Sequence, residues 1–314
     1  MDKPLWMWGA FLGVVIVFLI LDLGFIHKKE KEISIKESLF MSAFYITIGL
    51  LFGGFVWLEL GATAGKEYIT GFIVEKTLAL DNIFVISLVF AYFAVPRIYQ
   101  HRVLFWGILG VIVLRAIMIG LGAAIVSEFS WVLYIFAIFL IVTGVKMFFM
   151  VDKEMDIANN PLLKFIKKRM RITNELHGKK FSVMLPAKDN PNKNVRWFTP
   201  LFVALIIIEF VDLIFAVDSV PAIFAITTDP YIVYTSNIFA ILGLRALYFA
   251  LDAVIHRFKY LKYSLAMVLV FIGGKVVVAG ILGIEKVPPS ISLTVTAALL
   301  FGGVIYSLIK TKKA

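Results

Sequence analysis

Long apolar segments alternate with short polar connections along this chain. A helix needs about 20 predominantly apolar residues to cross a bilayer. Two of the segments are longer than one crossing and contain acidic residues, so each is predicted to be broken or tilted. The pattern predicts an all-α polytopic membrane protein with nine transmembrane helices, near residues 5–25, 39–60, 68–95, 103–126, 131–150, 198–226, 231–254, 263–283 and 290–309.

Composition supports the membrane class. Of the 314 residues, 61% are hydrophobic and only 17% are charged, far from the balance of a soluble domain. No residue is cysteine, which excludes disulfides, thiolate metal sites and cysteine nucleophiles within this chain. The first apolar segment has one lysine before it and a basic cluster after it, the reverse of a signal peptide, so a permanent first helix is expected.

Basic residues predict the orientation. The connections on one side, together with the C-terminal tail, carry 23 lysines and arginines, whereas the opposite connections carry 3. Because basic residues concentrate on the cytoplasmic side, the N-terminus is predicted outside and the C-terminus inside. The net charge of +10 is therefore read as a matter of topology, and no nucleic-acid partner is expected.

The longest connection, residues 151–197, is predicted to be cytoplasmic and strongly basic. Residues 162–171 read LLKFIKKRMR, which is typical of a basic amphipathic helix. Such a helix contacts anionic lipid headgroups. A second hypothesis makes this segment the docking surface for a partner protein.

An acidic motif occurs twice in apolar sequence, as VEKTLALDNIF at residues 74–84 and VDLIFAVDSVP at 211–221. The first copy contains Glu75 and Asp81, and the second contains Asp212 and Asp218 at the same spacing. Carboxylates within a membrane span are costly and usually functional. Two copies predict two halves of one site.

The likeness between the halves extends beyond the acids. Arg115 and Lys146 follow the first motif, and Arg245 and Lys275 follow the second in the same order. Each copy covers three spans, so the second enters the membrane from the opposite face, which predicts two inverted three-helix repeats. The resulting division is a first hairpin (1–60), repeat 1 (61–150), the basic loop (151–197), repeat 2 (198–283) and a last helix with a basic tail (284–314).

The donor types near the motifs indicate a hard divalent cation such as Mn²⁺, Mg²⁺ or Ca²⁺, among which the sequence does not choose. On an ideal helix a spacing of six residues turns the two acids 120° apart, so one ion needs a local break or ligands from several helices. Pro221 supplies a cause for such a break in the second copy. The candidate ligands are Asp81, Asp218, Glu75, Asp212, Asn82, Ser219 and Glu209.

The charged residues have a second interpretation, because buried charges are normally paired. Cations within spans would then neutralise nearby carboxylates and hold the bundle together. Glu209 is a candidate ligand, proton carrier or ion-pair partner. The candidates for proton coupling or ion pairing are Glu59, Arg115, Arg245, Lys146 and Lys275.

The paired motifs resemble the signature of the TerC family of bacterial membrane proteins, over roughly residues 59–275 and in the number of spans. The layout of hairpin, basic loop and basic tail resembles its Alx branch. The resemblance implies Mn²⁺ efflux across the bacterial inner membrane, with Glu75, Asp81, Asp212 and Asp218 as the acidic core and Glu209 near it. Mn²⁺ is then a transported substrate, and no bound organic cofactor is expected.

Export of two charges against an inside-negative potential of ~100 mV costs about 4.6 kcal/mol. No nucleotide-binding motif is present, so exchange for protons is expected, since protons and metal compete for the same oxygens. An intramembrane aspartyl protease is disfavoured because neither Asp81 nor Asp218 follows Gly-x-Gly, and no enzymatic activity is expected. The alternatives are amino-acid efflux and an accessory role, in metal delivery to exported enzymes through a secretion-machinery partner or in tellurite and envelope stress.

Overall fold

The computed structural model describes residues 3–24, 34–149, 157, 160–187, 193–251, 260–284 and 287–312, and for 21–24, 81 and 312 only the backbone. The described chain is predominantly helical, with one two-stranded antiparallel sheet. The helices are α1 (Leu5–Gly24), α2 (Ile35–Tyr92), α3 (Arg97–Glu128), α4 (Val132–Phe149), α5 (Pro161–Arg169), α6 (Pro200–Phe224), α7 (Pro230–Ile241), α8 (Leu244–Leu251), α9 (Leu261–Leu282) and α10 (Pro289–Lys312). The strands are β1 (Ser182–Pro186) and β2 (Asn194–Phe198).

Within the described residues, seven helices are long and apolar enough to cross a membrane. This number treats α2 as one helix, takes α7 and α8 together, and leaves out the apolar α1. The described part of each predicted span lies largely on a helix. The helical membrane class is therefore confirmed, whereas the number and direction of crossings stay predictions.

The 58 residues of α2 form two antiparallel arms that reverse at Gly61. Gly61 has φ = +90°, a backbone conformation that glycine adopts without steric cost. Across the turn, the Tyr68 hydroxyl donates to the Gly49 carbonyl at 3.0 Å. Closer to the turn, Gly65 packs on the Trp57 side chain. Predicted spans two and three are therefore neighbours joined by a very tight turn.

The break near the site lies in the seventh predicted span, not in the third or sixth. Residues 62–92 are helical throughout, and α6 continues through Pro221. Instead, α7 ends before Gly243, where φ = +80°, and α8 begins at once. The Lys76 ammonium donates to two carbonyls there, Ala240 at 2.9 Å and Leu242 at 3.3 Å. A lysine from α2 thus satisfies carbonyls that the interrupted helix leaves open.

Helices α4 and α9 pack antiparallel through two glycines. A Cβ atom at Gly144 would lie 2.7 Å from the Ala266 carbonyl oxygen, and one at Gly273 would overlap the Ala137 carbonyl oxygen. Gly144 therefore contacts Ala266, seven residues before Gly273, and Gly273 contacts Ala137, seven residues before Gly144. The absence of side chains at both positions lets the two backbones touch.

The basic connection folds against the helices. Asn160 caps α5 by accepting from the Leu162 amide at 2.9 Å, which confirms a helix in this part of the chain. Leu163 and Ile166 are buried in the same cluster as α2, α3 and α6, while the lysines face outward. The β1–β2 hairpin follows and was not predicted.

Candidate functional site

A charged cluster lies at the centre of the bundle around Arg115. This side chain projects from α3 and is 1% exposed. Its Nη1 donates to Glu75 Oε1 on α2. Its Nη2 and Nε face the two carboxylate oxygens of Asp212 on α6, at 3.4 and 3.5 Å. Two acids from the two motif copies therefore share one guanidinium.

Three polar residues complete the cluster. Ser219 Oγ accepts from Arg115 at 3.0 Å, and Asn237 Oδ1 on α7 lies 3.4 Å from the same nitrogen. Asn82 Nδ2 donates to Asp212 Oδ1 at 2.9 Å. The Asn82 Oδ1 and Asn237 Nδ2 atoms are buried and make no hydrogen bond to the described residues. Such unpaired atoms are costly, so the cluster can accept a further polar ligand.

Among the described residues, the cavity beside the cluster is small. A cavity of about 20 Å³ lies between Asn82, Asp212 and the apolar residues of α2, α3 and α6. This is about the room one water molecule needs. The cluster is therefore a packed, desolvated ion pair in this conformation, where loss of one partner leaves a buried charge.

Glu209 lies one helical turn before Asp212 on α6 and faces α3. A Cβ atom at Gly107 would lie 3.7 Å from Glu209 Oε1, and one at Gly110 would overlap the carboxylate. The Oε2 atom is buried and makes no hydrogen bond to the described residues. The small residues of α3 thus leave room for a second acid next to the cluster.

The four acids of the repeated motif do not all meet in the described structure. Glu75 and Asp212 converge, whereas the side chain of Asp81 lies outside the described residues. Asp218 is half-buried and hydrogen-bonds with Thr143 on α4 instead. A rotation of 120° between positions six residues apart accounts for the different surroundings of Asp212 and Asp218 on a continuous α6.

The candidate ion-pair residues are also dispersed. Glu59 and Lys146 are exposed, and Arg245 is buried at the start of α8. Lys275 donates to Ser292 at 3.0 Å. Among the side chains that the structure describes, Arg115 lies between two motif acids, Glu75 and Asp212.

Sequence reasoning did not include Asn237 among the candidates. Asn237 belongs to the run Thr235-Ser236-Asn237, three consecutive fully buried polar residues in an apolar span. Such a run signals a helix enclosed by protein, because polar groups facing lipid are costly. The pattern was visible in the sequence, but it has no counterpart in the first half.

Among side chains that the structure describes, no group of three or more His, Asp or Glu residues is arranged to hold a metal ion. Arg115 occupies the space between Glu75 and Asp212. The predicted set of metal ligands therefore stays a prediction, and occupation of the described cluster requires Arg115 to move.

Comparison with known proteins identifies the family. The sequence model of the integral membrane protein TerC family matches residues 60–314, most of the chain. The chain belongs to the TerC family. The match begins at the Gly61 turn and includes every residue of the cluster.

Relatives of this TerC protein extend over nearly its full length. A protein from Rickettsia bellii, described as an uncharacterized membrane protein, is 52% identical over 96% of this chain and 97% of its own. A Myxococcus xanthus membrane protein is 44% identical over 98% and 93%. A protein from Photorhabdus laumondii, described as a proposed membrane-bound redox modulator and named Alx, is 43% identical over 94% and 92%. No solved structure matches.

Proposed function

We propose that this protein is a secondary transporter that exports a hard divalent cation, Mn²⁺, from the bacterial cytoplasm across the inner membrane. The observation that carries the proposal is the convergence of Glu75 and Asp212, one acid from each motif copy, in a buried cluster with amide and hydroxyl oxygens. These oxygen donors suit hard cations. Both carboxylates lie within apolar helices, where a charged group is costly and usually has a function.

Arg115 supplies a means of binding and release. Its guanidinium is shared by the two acids when no metal is bound and offsets one of their two negative charges. An entering divalent cation takes those oxygens, together with the unpaired Asn82 Oδ1, and displaces Arg115. When the cation leaves, Arg115 returns, so the empty site is never left with two uncompensated charges.

Proton exchange completes the cycle. Glu209 lies one helical turn from Asp212, and its buried Oε2 atom makes no hydrogen bond to the described residues. A carboxylate without a fixed partner is suited to carrying a proton, which metal binding would expel. Protons moving inward along the membrane potential then supply the energy for cation export.

Two observations support inverted repeats. Glu75 and Asp212, and likewise Asn82 and Ser219, occupy equivalent motif positions, and all four meet in one cluster. Gly144 and Gly273 are also equivalent, and each contacts the other's helix at the same offset. Reciprocal antiparallel contacts are those expected of a two-fold axis in the membrane plane.

The deciding experiment is Mn²⁺ transport by the purified protein in liposomes with an internal metal-sensitive dye. Glu75→Gln and Asp212→Asn should each abolish transport, since each removes a ligand charge while keeping the shape of the side chain. The matched control is Glu128→Gln, an exposed acid at the end of α3, which should transport normally. Absence of transport by the folded native protein, with a pH gradient imposed in either direction, would reject the proposal. Transport that persists unchanged after the gradient is collapsed would reject proton exchange alone.

An accessory role in metal delivery is the second candidate, favoured by the exposed basic face of α5. Deletion of residues 151–197 does not test it cleanly, because Leu163 is part of the core. Neutralising Lys164, Lys167 and Lys168 to Gln keeps the packing and removes the charge. Loss of the cellular phenotype with undiminished liposome transport would favour the accessory role.

A redox role like that in the name of the Alx relative could not use a thiol of this chain, which has no cysteine.

A further inference from the structure

A second cavity, of about 240 Å³, lies at the end of the bundle where the predicted outer connections meet. Its wall carries the polar side chains of Glu67, Thr70, Tyr134, Lys275 and Ser292. At ~30 Å³ of liquid volume per molecule, this space has room for several waters. Polar side chains form part of its otherwise apolar wall, and we refer to this cavity as the vestibule.

The vestibule and the charged cluster lie along one face of α2. Glu67 lines the vestibule and Glu75 binds Arg115, and Gly71 lies midway between them. Residues four apart occupy the same helix face, and eight residues rise about 12 Å. The direct route from the vestibule to the cluster therefore passes Gly71.

At Gly71 the route is closed by one side chain from α6. Ile223, 3% exposed, lies so close that a Cβ atom on Gly71 would overlap its Cδ1 atom. Ile223 follows Ser219 of the cluster by one turn, and Phe224 lines the vestibule. Along both α2 and α6, the residue that makes this contact therefore lies between a residue of the cluster and a residue of the vestibule.

Helix α7 supports the same arrangement. Ser236 Oγ lies 3.0 Å from the position of a Cβ atom on Gly71, and the next residue, Asn237, contacts Arg115. On the other side of the cluster, the cavity is only about 20 Å³ and is bordered by Ile86 and Leu104. Of these two cavities, both lined by described residues, the vestibule is the larger.

We propose that Ile223, packed on Gly71, is the outer gate of the transport path, and that the vestibule is the exit through which the hydrated cation leaves. This inference rests on the proposed export function for the identity of the ion. On the α6 side, gate opening requires that the Ile223 side chain move off Gly71, which offers no side chain of its own. The contact between Ile223 and Gly71 thus closes the path, and a small movement of one side chain opens it.

The absence of native cysteine permits a direct test by single-cysteine labelling. A membrane-impermeant methanethiosulfonate reagent is applied to right-side-out and to inverted vesicles. Thr228→Cys, at an exposed position in the vestibule wall, should react rapidly from the outside, and Ser219→Cys, buried in the cluster, slowly. Adding Ile223→Ala should raise the Ser219→Cys rate about ten-fold or more. The substitution removes three buried carbon atoms, and the free energy of burying them exceeds that of a ten-fold change in rate. Asn237→Cys serves as a second reporter if Ser219→Cys does not fold.

The matched control is Val220→Ala, a buried α6 residue that packs near Gly122 and not on Gly71. It should leave the Ser219→Cys rate unchanged. An equal increase with Val220→Ala, or no increase with Ile223→Ala, would overturn the gate. Thr228→Cys that reacts from neither side, or only from the inside, would overturn the vestibule as an exit.

A compensating pair tests the contact itself. Gly71→Ala should slow Mn²⁺ transport, because the added methyl group meets Ile223 Cδ1. Combining it with Ile223→Val, which removes that atom, should restore transport, and no restoration in a folded double variant would count against the gate. Labelling does not depend on transport, so gate-dependent labelling in a protein that moves no metal would reject the proposed function and retain the gate.

Discussion

At the residue scale, the behaviour of this protein centres on one guanidinium shared by two carboxylates. Arg115 touches Glu75, Asp212, Ser219 and Asn237, which come from three other helices. A planar group with five donors can satisfy several acceptors at once, whereas an ammonium cannot reproduce that geometry. Both acids therefore share the one positive charge of Arg115, and Arg115 fixes the relative position of α2, α3 and α6.

Replacing Arg115 with Met should destabilise the protein by about 3–5 kcal/mol, because two buried carboxylates lose their counter-charge. The free energy of unfolding in detergent measures the effect. Adding Glu75→Gln and Asp212→Asn should recover most of the loss, since the charges are then removed together. Lys146→Met, at an exposed position, is the control and should change stability little. A destabilisation that persists unchanged in the triple variant would show that packing, not charge, is lost.

At the element scale, glycines determine where helices approach and where they end. Gly61 lets α2 reverse, and Gly243 separates α7 from α8. Gly144 and Gly273 bring α4 and α9 into backbone contact. In a membrane, where lipid is as apolar as the side chains, such close packing is a main source of helix association.

The contact between α4 and α9 predicts opposite effects for two adjacent glycines. Gly273→Ala should destabilise the protein, because its methyl group would overlap the Ala137 carbonyl oxygen. Gly274→Ala meets nothing within 4 Å, so higher helix propensity should stabilise the protein by up to about 1 kcal/mol. Thermal unfolding of both variants in the same detergent makes the comparison. Equal effects of the two substitutions would mean that α4 and α9 do not pack through Gly273.

At the scale of the whole molecule, two ends of the bundle differ in chemistry. One end contains the polar vestibule beside Glu67 and Lys275. The other carries α5, the β1–β2 hairpin and a basic cavity of about 670 Å³ that includes Lys167 and Arg171. The distribution of basic residues predicts that the second end faces the cytoplasm.

Single cysteines should report this orientation. Ser130→Cys, exposed at the vestibule end, should react with an impermeant maleimide on intact cells. Asn174→Cys, exposed at the basic end, should react only after permeabilisation. The reverse pattern would overturn the assignment of the vestibule to the outer side of the membrane. Labelling of both positions from one side would contradict a bundle that spans the membrane.

The sequence by itself determined the helical membrane class, the positions of the apolar segments, the basic helix near residues 162–171 and the acids that deserve testing. Apolar length and charge placement are local properties that the bilayer selects directly. The tertiary structure decided which acids meet: Glu75 and Asp212 converge, whereas Asp218 faces Thr143. It also placed the helix break at Gly243, where Lys76 from a distant helix satisfies the open carbonyls. Such outcomes depend on helix rotation and on contacts between segments far apart in the chain, which no local pattern encodes.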